Sequence, residues 1–181
     1  MLFVDPDFLG ADTCRRIRSA MDRGVAEPAE VLHDASGVDR RARDATIIEV
    51  DPITLSAVET ALDARRDAIA DFFSIQLTER EGAGFLRYSP GGFYGPHRDW
   101  AVTSSWPAAV RRRLSLVVFL NNSHDSPAPG EHAGGTLRIF DSETRDVVPR
   151  EGCLVAFEAT LVHEVLPVRE GIRDVIVDWF Y

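Results

Sequence analysis

Cysteine is scarce in this sequence, since Cys14 and Cys153 are the only two among 181 residues. Two cysteines so far apart in the chain do not form the dense disulfide framework that stabilises small secreted domains. The cysteine content therefore predicts a reducing setting, and we expect a cytoplasmic protein.

Long hydrophobic runs are also missing. No uninterrupted apolar stretch approaches the length of a membrane-spanning helix. The first residues, Met-Leu-Phe-Val-Asp-Pro-Asp, lack the basic and apolar regions of a signal peptide. These two absences predict that the protein has no membrane partner.

Positive charge is in the minority, and the formal net charge is −9. An acidic balance argues against the broad basic surface that nucleic acid requires. The run Arg111-Arg112-Arg113 is a local exception, but three consecutive arginines are usually solvated at the start of a strand. We expect no nucleic-acid partner, and the sequence does not predict an oligomeric state.

The length and the apolar content predict one domain. An apolar share of 45% in 181 residues is ordinary for a globular chain with a core of its own. We expect a single domain over residues 1–181, with a helical support region at 1–80 and a strand-rich core at 81–181.

The support region begins with a helix near Asp12–Arg23, where Cys14, Ile17, Ala20 and Met21 share one face. Residues 25–44 show no period and are predicted to be a surface loop. Thr46–Val50 predicts a strand. A second helix is predicted to begin at Asp51-Pro52 and to continue through Phe73, with apolar residues three and four apart.

The second half is rich in short β-like runs separated by Gly, Pro, Asn and Asp. The predicted strands are Phe85–Tyr88, Leu114–Leu120, Thr136–Phe140, Leu154–Phe157, Val162–Val165 and Ile172–Phe180. No helix-length segment separates them, so the pattern favours an antiparallel sandwich or barrel within a mainly β, α+β fold. Residues 121–134 form the one long irregular connection.

The stretch Phe85–Trp100 carries the clearest chemical signal, a His-x-Asp pair. On an extended backbone alternate side chains share a face, so His97 and Asp99 point the same way. The candidates for a third metal ligand are His33, His124, His132 and His163. His163 lies in a predicted strand, which holds a ligand more rigidly than a loop does, so it is preferred.

Two histidines and one carboxylate suit non-haem Fe(II), because this ligand set leaves other coordination positions open. A closed zinc site would need a fourth ligand, and neither cysteine lies near these motifs in sequence. Arg173 follows His163 by ten positions. A guanidinium pointing into a barrel is costly unless it meets an anion, and a dicarboxylate bound at the metal would provide one. The alternative is that Arg173 faces solvent on an edge strand.

These motifs together resemble the Fe(II)- and 2-oxoglutarate-dependent dioxygenases, and within them the prolyl-4-hydroxylase-like branch. The matching pieces, in family order, are Tyr88-Ser-Pro-Gly-Gly-Phe-Tyr94-Gly-Pro-His97-Arg-Asp99, Leu-Val-Val-Phe-Leu-Asn121, Gly134-Gly-Thr-Leu-Arg-Ile-Phe140, His163-Glu-Val-Leu-Pro-Val, Arg173 and Trp179-Phe180.

The resemblance implies a double-stranded β-helix, or jelly-roll, with N-terminal supporting helices. It implies that His97, Asp99 and His163 are the catalytic metal ligands for Fe(II). It also implies that Arg173 binds the distal carboxylate of the cosubstrate 2-oxoglutarate with Tyr88 beside it, and that O2 is the second cosubstrate. One departure is Phe119, which stands where prolyl-hydroxylase relatives often have a tyrosine.

The resemblance further implies a hydroxylase that releases succinate and CO2. The expected substrate is an amino-acid side chain, prolyl or other, in a polypeptide, a free amino acid or a peptide-like metabolite. Tyr94 and Trp100 are candidate substrate residues. Two alternatives remain open: an oxygenase acting on alkylated nucleic acid, and a non-catalytic jelly-roll binding module. We expect segments 25–44, 100–112 and 121–134 to determine specificity.

Overall fold

Antiparallel sheets dominate the structure, a computed structural model that describes residues 1–31, 37–102 and 106–181. Within these ranges the strands form a seven-stranded sheet, a five-stranded sheet and a two-stranded ribbon. The mainly β, α+β class predicted from the sequence is confirmed.

The helices and strands are short and follow one another closely. In the described ranges the strands are β1 (Leu2–Asp5), β2 (Val25–Pro28), β3 (Arg43–Asp44), β4 (Thr46–Glu49), β5 (Gly84–Tyr88), β6 (Phe93–His97), β7 (Leu114–Phe119), β8 (His132–Gly134), β9 (Leu137–Phe140), β10 (Thr144–Val147), β11 (Leu154–Glu158), β12 (Val162–Val165), β13 (Val168–Gly171) and β14 (Arg173–Phe180). The helices are α1 (Ala11–Arg23), α2 (Pro52–Asp63) and α3 (Arg66–Phe73), with a 3-10 turn at Pro107–Arg111.

The two large sheets face each other across an apolar core. The larger sheet has the order β1-β11-β7-β14-β5-β4-β2, and the smaller has the order β10-β9-β12-β6-β3. Tyr88, Phe119 and Phe157 from the larger sheet belong to the same buried cluster as Leu137 and Ile139 from the smaller one. Because side chains alternate along a strand, the larger sheet has a second face available for the helices.

The helices cover that second face. Ile17 of α1, Leu62 of α2 and Ile69 of α3 pack in one cluster with Leu116 and Val118 of β7. Burial of an aliphatic side chain contributes about 2 kcal/mol, so this layer contributes strongly to stability. None of the helices in the described ranges is both long enough and apolar enough to cross a membrane.

The first helix and the strand after residue 45 are confirmed as α1 and β4, but the long helix predicted through Phe73 is wrong in one respect. It is two helices, because the chain turns at Ala64 and Arg65 between α2 and α3. The turn allows the Nε of Arg65 to donate a hydrogen bond to Asp5 at 2.7 Å. Apolar spacing alone did not reveal this break, since both helices bury side chains on the same sheet.

The surface loop predicted for residues 25–44 is also partly wrong. This segment contains β2 and β3, which pair with β4 and β6. All four residues of β2 are exposed, so the strand has no buried face to produce an alternating pattern. Its pairing depends on main-chain hydrogen bonds, which sequence periodicity does not report.

All six strands predicted after residue 84 are confirmed, as β5, β7, β9, β11, β12 and β14. The shorter strands β1, β6, β8, β10 and β13 were not predicted as separate elements. In β6, Gly95 and Pro96 are residues typical of turns, yet the strand pairs with β12 on one side and β3 on the other. Pairing with neighbouring strands has overridden local preference here.

The register of β14 against β5 determines what faces the interior. Arg173 lies opposite Tyr88, and Asp174 lies opposite Arg87. The first pair points between the sheets, and the second points toward α1. There the fully buried Asp174 accepts hydrogen bonds from the Nε of Arg87 at 2.7 Å and from the Nε of Arg18 at 3.0 Å. The carboxylate of Asp174 thereby connects α1 to the centre of the larger sheet.

We predict that Asp174→Ala lowers the free energy of unfolding by about 3–5 kcal/mol, because it removes the fully buried carboxylate that pairs with the half-buried Arg18 and Arg87. The matched control is Asp22→Ala. Asp22 is the exposed carboxylate on the same Arg87, and its loss should cost less than about 1 kcal/mol. Urea unfolding followed by tryptophan fluorescence measures both. Equal losses would show that Asp174 does not connect α1 to the sheet.

Candidate metal centre

His97, Asp99 and His163 converge between the two sheets. His97 is the last residue of β6 and pairs directly with His163 of β12, while Asp99 lies two residues beyond the end of β6. The Nε2 of His97 is 3.6 Å from Asp99 Oδ1, and the Nε2 of His163 is 3.5 Å from Asp99 Oδ2. One ligand atom from each residue lies within 4.8 Å of the others. The predicted convergence is therefore present.

Hydrogen bonds to the backbone orient both imidazoles. The Nδ1 of His97 is 2.9 Å from the carbonyl oxygen of Gly95, and the Nδ1 of His163 is 3.1 Å from that of Leu161. A carbonyl oxygen only accepts, so each Nδ1 carries the hydrogen and donates it. Each Nε2 therefore keeps a lone pair that faces Asp99, as a metal ligand requires.

The protonation states also favour metal binding. Burial lowers the pKa of His163 to about 4, against the opposing effect of Asp99. Burial by itself would raise the pKa of Asp99, but His163, His97 and Ser115 outweigh burial and hold this pKa well below its usual range. At neutral pH the site thus contains an uncharged His163 and an ionised carboxylate. Both are the forms that bind a metal ion.

Asp99 lies beyond the end of β6, so strand pairing does not fix its position. Ser115 and Arg112 hold it instead. The hydroxyl of Ser115, on β7, donates to Asp99 Oδ2 at 2.6 Å. The Nη1 of Arg112 donates to the backbone carbonyl of Asp99 at 3.1 Å. Arg112 in turn forms two hydrogen bonds of 2.6 Å with the carboxylate of Glu81. The side chain and the backbone of Asp99 are therefore positioned by separate groups.

Sequence reasoning missed this support. Arg112 was expected to be solvated with its two neighbours, but it is only 6% exposed. A buried guanidinium is costly without a carboxylate partner, and Glu81, 31 residues earlier in the chain, supplies one to Arg112. The sequence does contain a signal that could have identified Ser115. It is the single polar residue inside the otherwise apolar run Leu114–Leu120.

The other candidate ligands do not join this group. His124 is 58% exposed and lies beside Glu131. His132 is fully buried on β8, and burial followed by the charge of Arg173 lowers its pKa to about 4. His33 lies outside the described residues. In the described ranges the cluster has two imidazoles and one carboxylate, a donor set that fits Fe(II) and leaves coordination positions open.

Arg173 is buried between the sheets, not exposed on an edge. It begins β14, which lies between β7 and β5, and it is 1% exposed. Its guanidinium carbon lies 4.9 Å from the ring centre of Tyr88 and 5.6 Å from that of Phe119. In the described part of the chain, neither Nε nor Nη1 has a hydrogen-bond partner. Burial lowers the pKa of Arg173 to about 10, so it stays charged at neutral pH.

One cavity of about 550 Å³ joins these groups. His97, Asp99, His163, Arg173 and Tyr88 all line it. A space of this size accommodates small organic molecules. The cavity therefore brings three metal-capable groups and a buried cation within reach of one bound molecule.

Two of the three segments expected to determine specificity contribute to the cavity wall. Segment 25–44 supplies a continuous stretch from Glu27 to Val31, and segment 100–112 supplies Trp106 and Arg112. In the described ranges, segment 121–134 supplies none of the lining. Its end forms β8, which pairs with β13 away from this wall.

The two candidate substrate residues have different positions. The ring of Tyr94 lines the cavity and stacks on His97 with a centroid distance of 3.4 Å and an interplanar angle of 14°. Trp100 is not part of the described lining, and its Nε1 donates a hydrogen bond to the carbonyl of Val110 at 3.2 Å. Tyr94 thus lies next to the metal-capable cluster, whereas the substrate role of Trp100 stays a prediction.

The chain matches the sequence profile of the 2OG-Fe(II) oxygenase superfamily over residues 83–181. It is 32% identical over 186 residues to a PKHD-type hydroxylase of Xanthomonas campestris pv. campestris (strain B100), covering 99% of this chain and 78% of that relative. A PKHD-type hydroxylase of Klebsiella pneumoniae (strain 342) is also 32% identical, over 99% of this chain and 77% of the relative.

Solved structures show the same fold. A Pseudomonas putida prolyl-4-hydroxylase is 29% identical, with a TM-score of 0.74 over 99% of this chain and 91% of that one. A Trichoplax adhaerens prolyl hydroxylase, solved with a peptide fragment of hypoxia inducible factor, has a TM-score of 0.74 at 19% identity, over 99% and 83% of the two chains. The expected double-stranded β-helix is confirmed.

We predict that Ser115→Ala weakens divalent metal binding by about 10-fold, because groups that orient a metal ligand typically contribute this much to affinity. Anaerobic calorimetry with Fe(II) measures the dissociation constant without turnover. Ser56→Ala removes an exposed hydroxyl from α2 and should leave the constant unchanged. Metal affinity that is the same in the two variants would mean that the Ser115 hydroxyl does not position Asp99.

Proposed function

The chain belongs to the 2OG-Fe(II) oxygenase superfamily, and on this basis we propose that it hydroxylates an amino-acid side chain in a polypeptide, a free amino acid or a peptide-like metabolite. Members of this superfamily are enzymes that use Fe(II), 2-oxoglutarate and O2, so the non-catalytic alternative is not retained. The acidic net charge of −9 gives no support to an alkylated nucleic acid as substrate.

The observation that carries the proposal is the shared cavity. His97, Asp99 and His163 would hold the iron there, and Arg173 with Tyr88 would receive the distal carboxylate of 2-oxoglutarate. When bound, iron couples the oxidative decarboxylation of 2-oxoglutarate to succinate and CO2 with hydroxylation of a C–H bond. A dicarboxylate would also supply the hydrogen-bond acceptors that Arg173 lacks among the described residues.

The remaining residues orient the reactants and exclude water. Phe119 places an apolar ring beside the Arg173 guanidinium, where a tyrosine would have placed a hydroxyl. The carboxylate specificity of this end of the cavity would therefore depend on Arg173 and Tyr88. Apolar side chains such as Leu86 and Val175 line the adjacent wall, which lowers the local dielectric and strengthens the ion pair.

Prolyl hydroxylation is the first reaction to test. The Pseudomonas putida structure, similar to this chain over nearly its whole length, is named a prolyl-4-hydroxylase. PKHD-type hydroxylases are similar over the same span, and their name gives the reaction without a substrate. A screen of free amino acids and proline-containing peptides, with mass spectrometry of the product, separates these possibilities.

We predict that succinate formation requires added Fe(II) and 2-oxoglutarate and that His97→Ala and Asp99→Ala abolish it. Each substitution removes one of three metal ligands, and no other described His, Cys, Asp or Glu joins the cluster. His124→Ala is the matched control, because His124 is exposed and is not a member of the cluster. Full turnover by either cavity variant would assign the metal to other ligands.

We predict that Arg173→Ala raises the dissociation constant of 2-oxoglutarate by about 30-fold or more, because it removes the charged partner of a buried carboxylate. Calorimetry on the Mn(II)-loaded protein measures this constant without turnover. Arg169→Ala, on the neighbouring β13, removes an exposed arginine that pairs with Asp125 and should have no effect. An unchanged constant in Arg173→Ala would place the carboxylate elsewhere.

A further inference from the structure

Arg43 is a second cation in the same cavity, on the opposite sheet from Arg173. It belongs to β3, the edge strand of the five-stranded sheet, and pairs with Tyr94 of β6. Its guanidinium carbon lies 4.6 Å from the centre of the Tyr94 ring. Arg43 is half-buried, whereas Arg173 is fully buried. The two arginines therefore occupy different depths of one space.

The Tyr94 ring connects Arg43 to the metal-capable cluster. His97 stacks on this ring at a centroid distance of 3.4 Å, which fills one face of the ring. The guanidinium of Arg43 therefore takes the other face, where the ring electrons attract a cation. The guanidinium carbon of Arg43 and the ring of His97 thus lie on opposite faces of Tyr94, 4.6 Å and 3.4 Å from the centre of its ring.

Arg43 differs from its neighbours because no described carboxylate neutralises it. Arg40 pairs with Asp44 at 2.7 Å, and Arg41 pairs with Asp39 at 3.4 Å. In the described ranges, the Nη1 of Arg43 donates to the carbonyl of Glu30 at 2.7 Å, its Nε is buried without a partner, and its Nη2 has none either. A guanidinium has five N–H donors, so most of this capacity is unused.

The other arginines of the described lining already have assignments. Arg112 is held by both oxygens of Glu81, and Arg173 lies at the buried end, where the proposed function places the carboxylate of 2-oxoglutarate. Besides Glu81 and the metal-capable Asp99, the carboxylates of the described lining are Glu27 and Glu30, and among the described residues neither side chain forms an ion pair with Arg43. Arg43 is thus the described lining cation that remains available to an incoming anion.

We propose that Arg43 binds a free carboxylate of the substrate, an inference that rests on the proposed hydroxylase function. Planar guanidinium and carboxylate groups form paired hydrogen bonds, which would fix the orientation of the substrate as well as its position. Arg43 and the metal-capable cluster line one cavity of about 550 Å³, so a small substrate held at Arg43 by its carboxylate would also reach the cluster. The substrate is then a free amino acid or the C-terminal residue of a peptide.

Matched acids and amides test this proposal. The panel contains the common L-amino acids, their primary amides, and Gly-Gly-Xaa tripeptides with free or amidated C-termini. We expect one or more acids to increase succinate release above the substrate-free rate and their amides to fail. If only free amino acids stimulate succinate release, the carboxylate belongs to a free amino acid. If tripeptide acids also stimulate it, the carboxylate can belong to the C-terminal residue of a peptide. Amides that act as well as acids would overturn the proposal.

Substitution of Arg43 tests the residue itself. For the best acid, Arg43→Gln should raise KM by about 30-fold with a smaller change in kcat, and Arg43→Lys should recover part of this loss because it keeps the charge. Calorimetry of the same acid on the protein loaded with Mn(II) and 2-oxoglutarate should show the same shift in Kd. Arg41→Gln removes an exposed arginine two positions away and should behave as the unsubstituted protein.

The experiment separates this proposal from the function on which it rests. If Fe(II)-dependent turnover of 2-oxoglutarate persists but no acid stimulates it, the carboxylate proposal is wrong and the hydroxylase class stands. An Arg43→Gln variant that loses 2-oxoglutarate affinity instead of acid affinity would also overturn it. If the protein neither binds nor consumes 2-oxoglutarate, the proposed function fails, and the role of Arg43 fails with it.

Discussion

The buried charge of Arg173 is the constraint on which the interior of this protein depends. A guanidinium without acceptors is among the most expensive groups to place in an apolar core. Here it lies at 1% exposure between Tyr88 and Phe119, with two of its nitrogens lacking partners in the described chain. Tyr88 and the neighbouring Asp174 oppose the effect of burial on its pKa, so the charge survives. The site is therefore prepared for an anion.

The cost is tolerated because the surrounding strands are firmly held. Asp174, the next residue on β14, binds two arginines on the helical side of the sheet, and the register with β5 couples the two faces. The pair that points inward is available for binding, while the pair that points outward contributes to stability. Side chains alternate along the two paired strands, so the candidate binding residues and the stabilising ion pair lie on opposite faces of the larger sheet.

Strand pairing also positions the metal-capable cluster, with the exception of Asp99. His97 and His163 are paired across adjacent strands, so the sheet itself sets their spacing. Asp99 lies beyond the strand and depends on Ser115 and Arg112 for its position.

The net charge of −9 describes the whole chain, but three arginines line the described cavity. Local charge, not net charge, determines what this space attracts.

The sequence by itself determined the elements with a buried face and the residues of the chemical motifs. Periodicity identified α1 and six strands, and the His-x-Asp spacing with His163 and Arg173 identified the cluster and its cation. Tertiary structure alone decided the break between α2 and α3, the strands β2 and β3, and the support of Asp99 by Ser115, Arg112 and Glu81. Only the fold placed Arg43 over Tyr94. The reason is physical: periodicity reports burial along one segment, whereas these features depend on main-chain pairing and on charges that meet from distant parts of the chain.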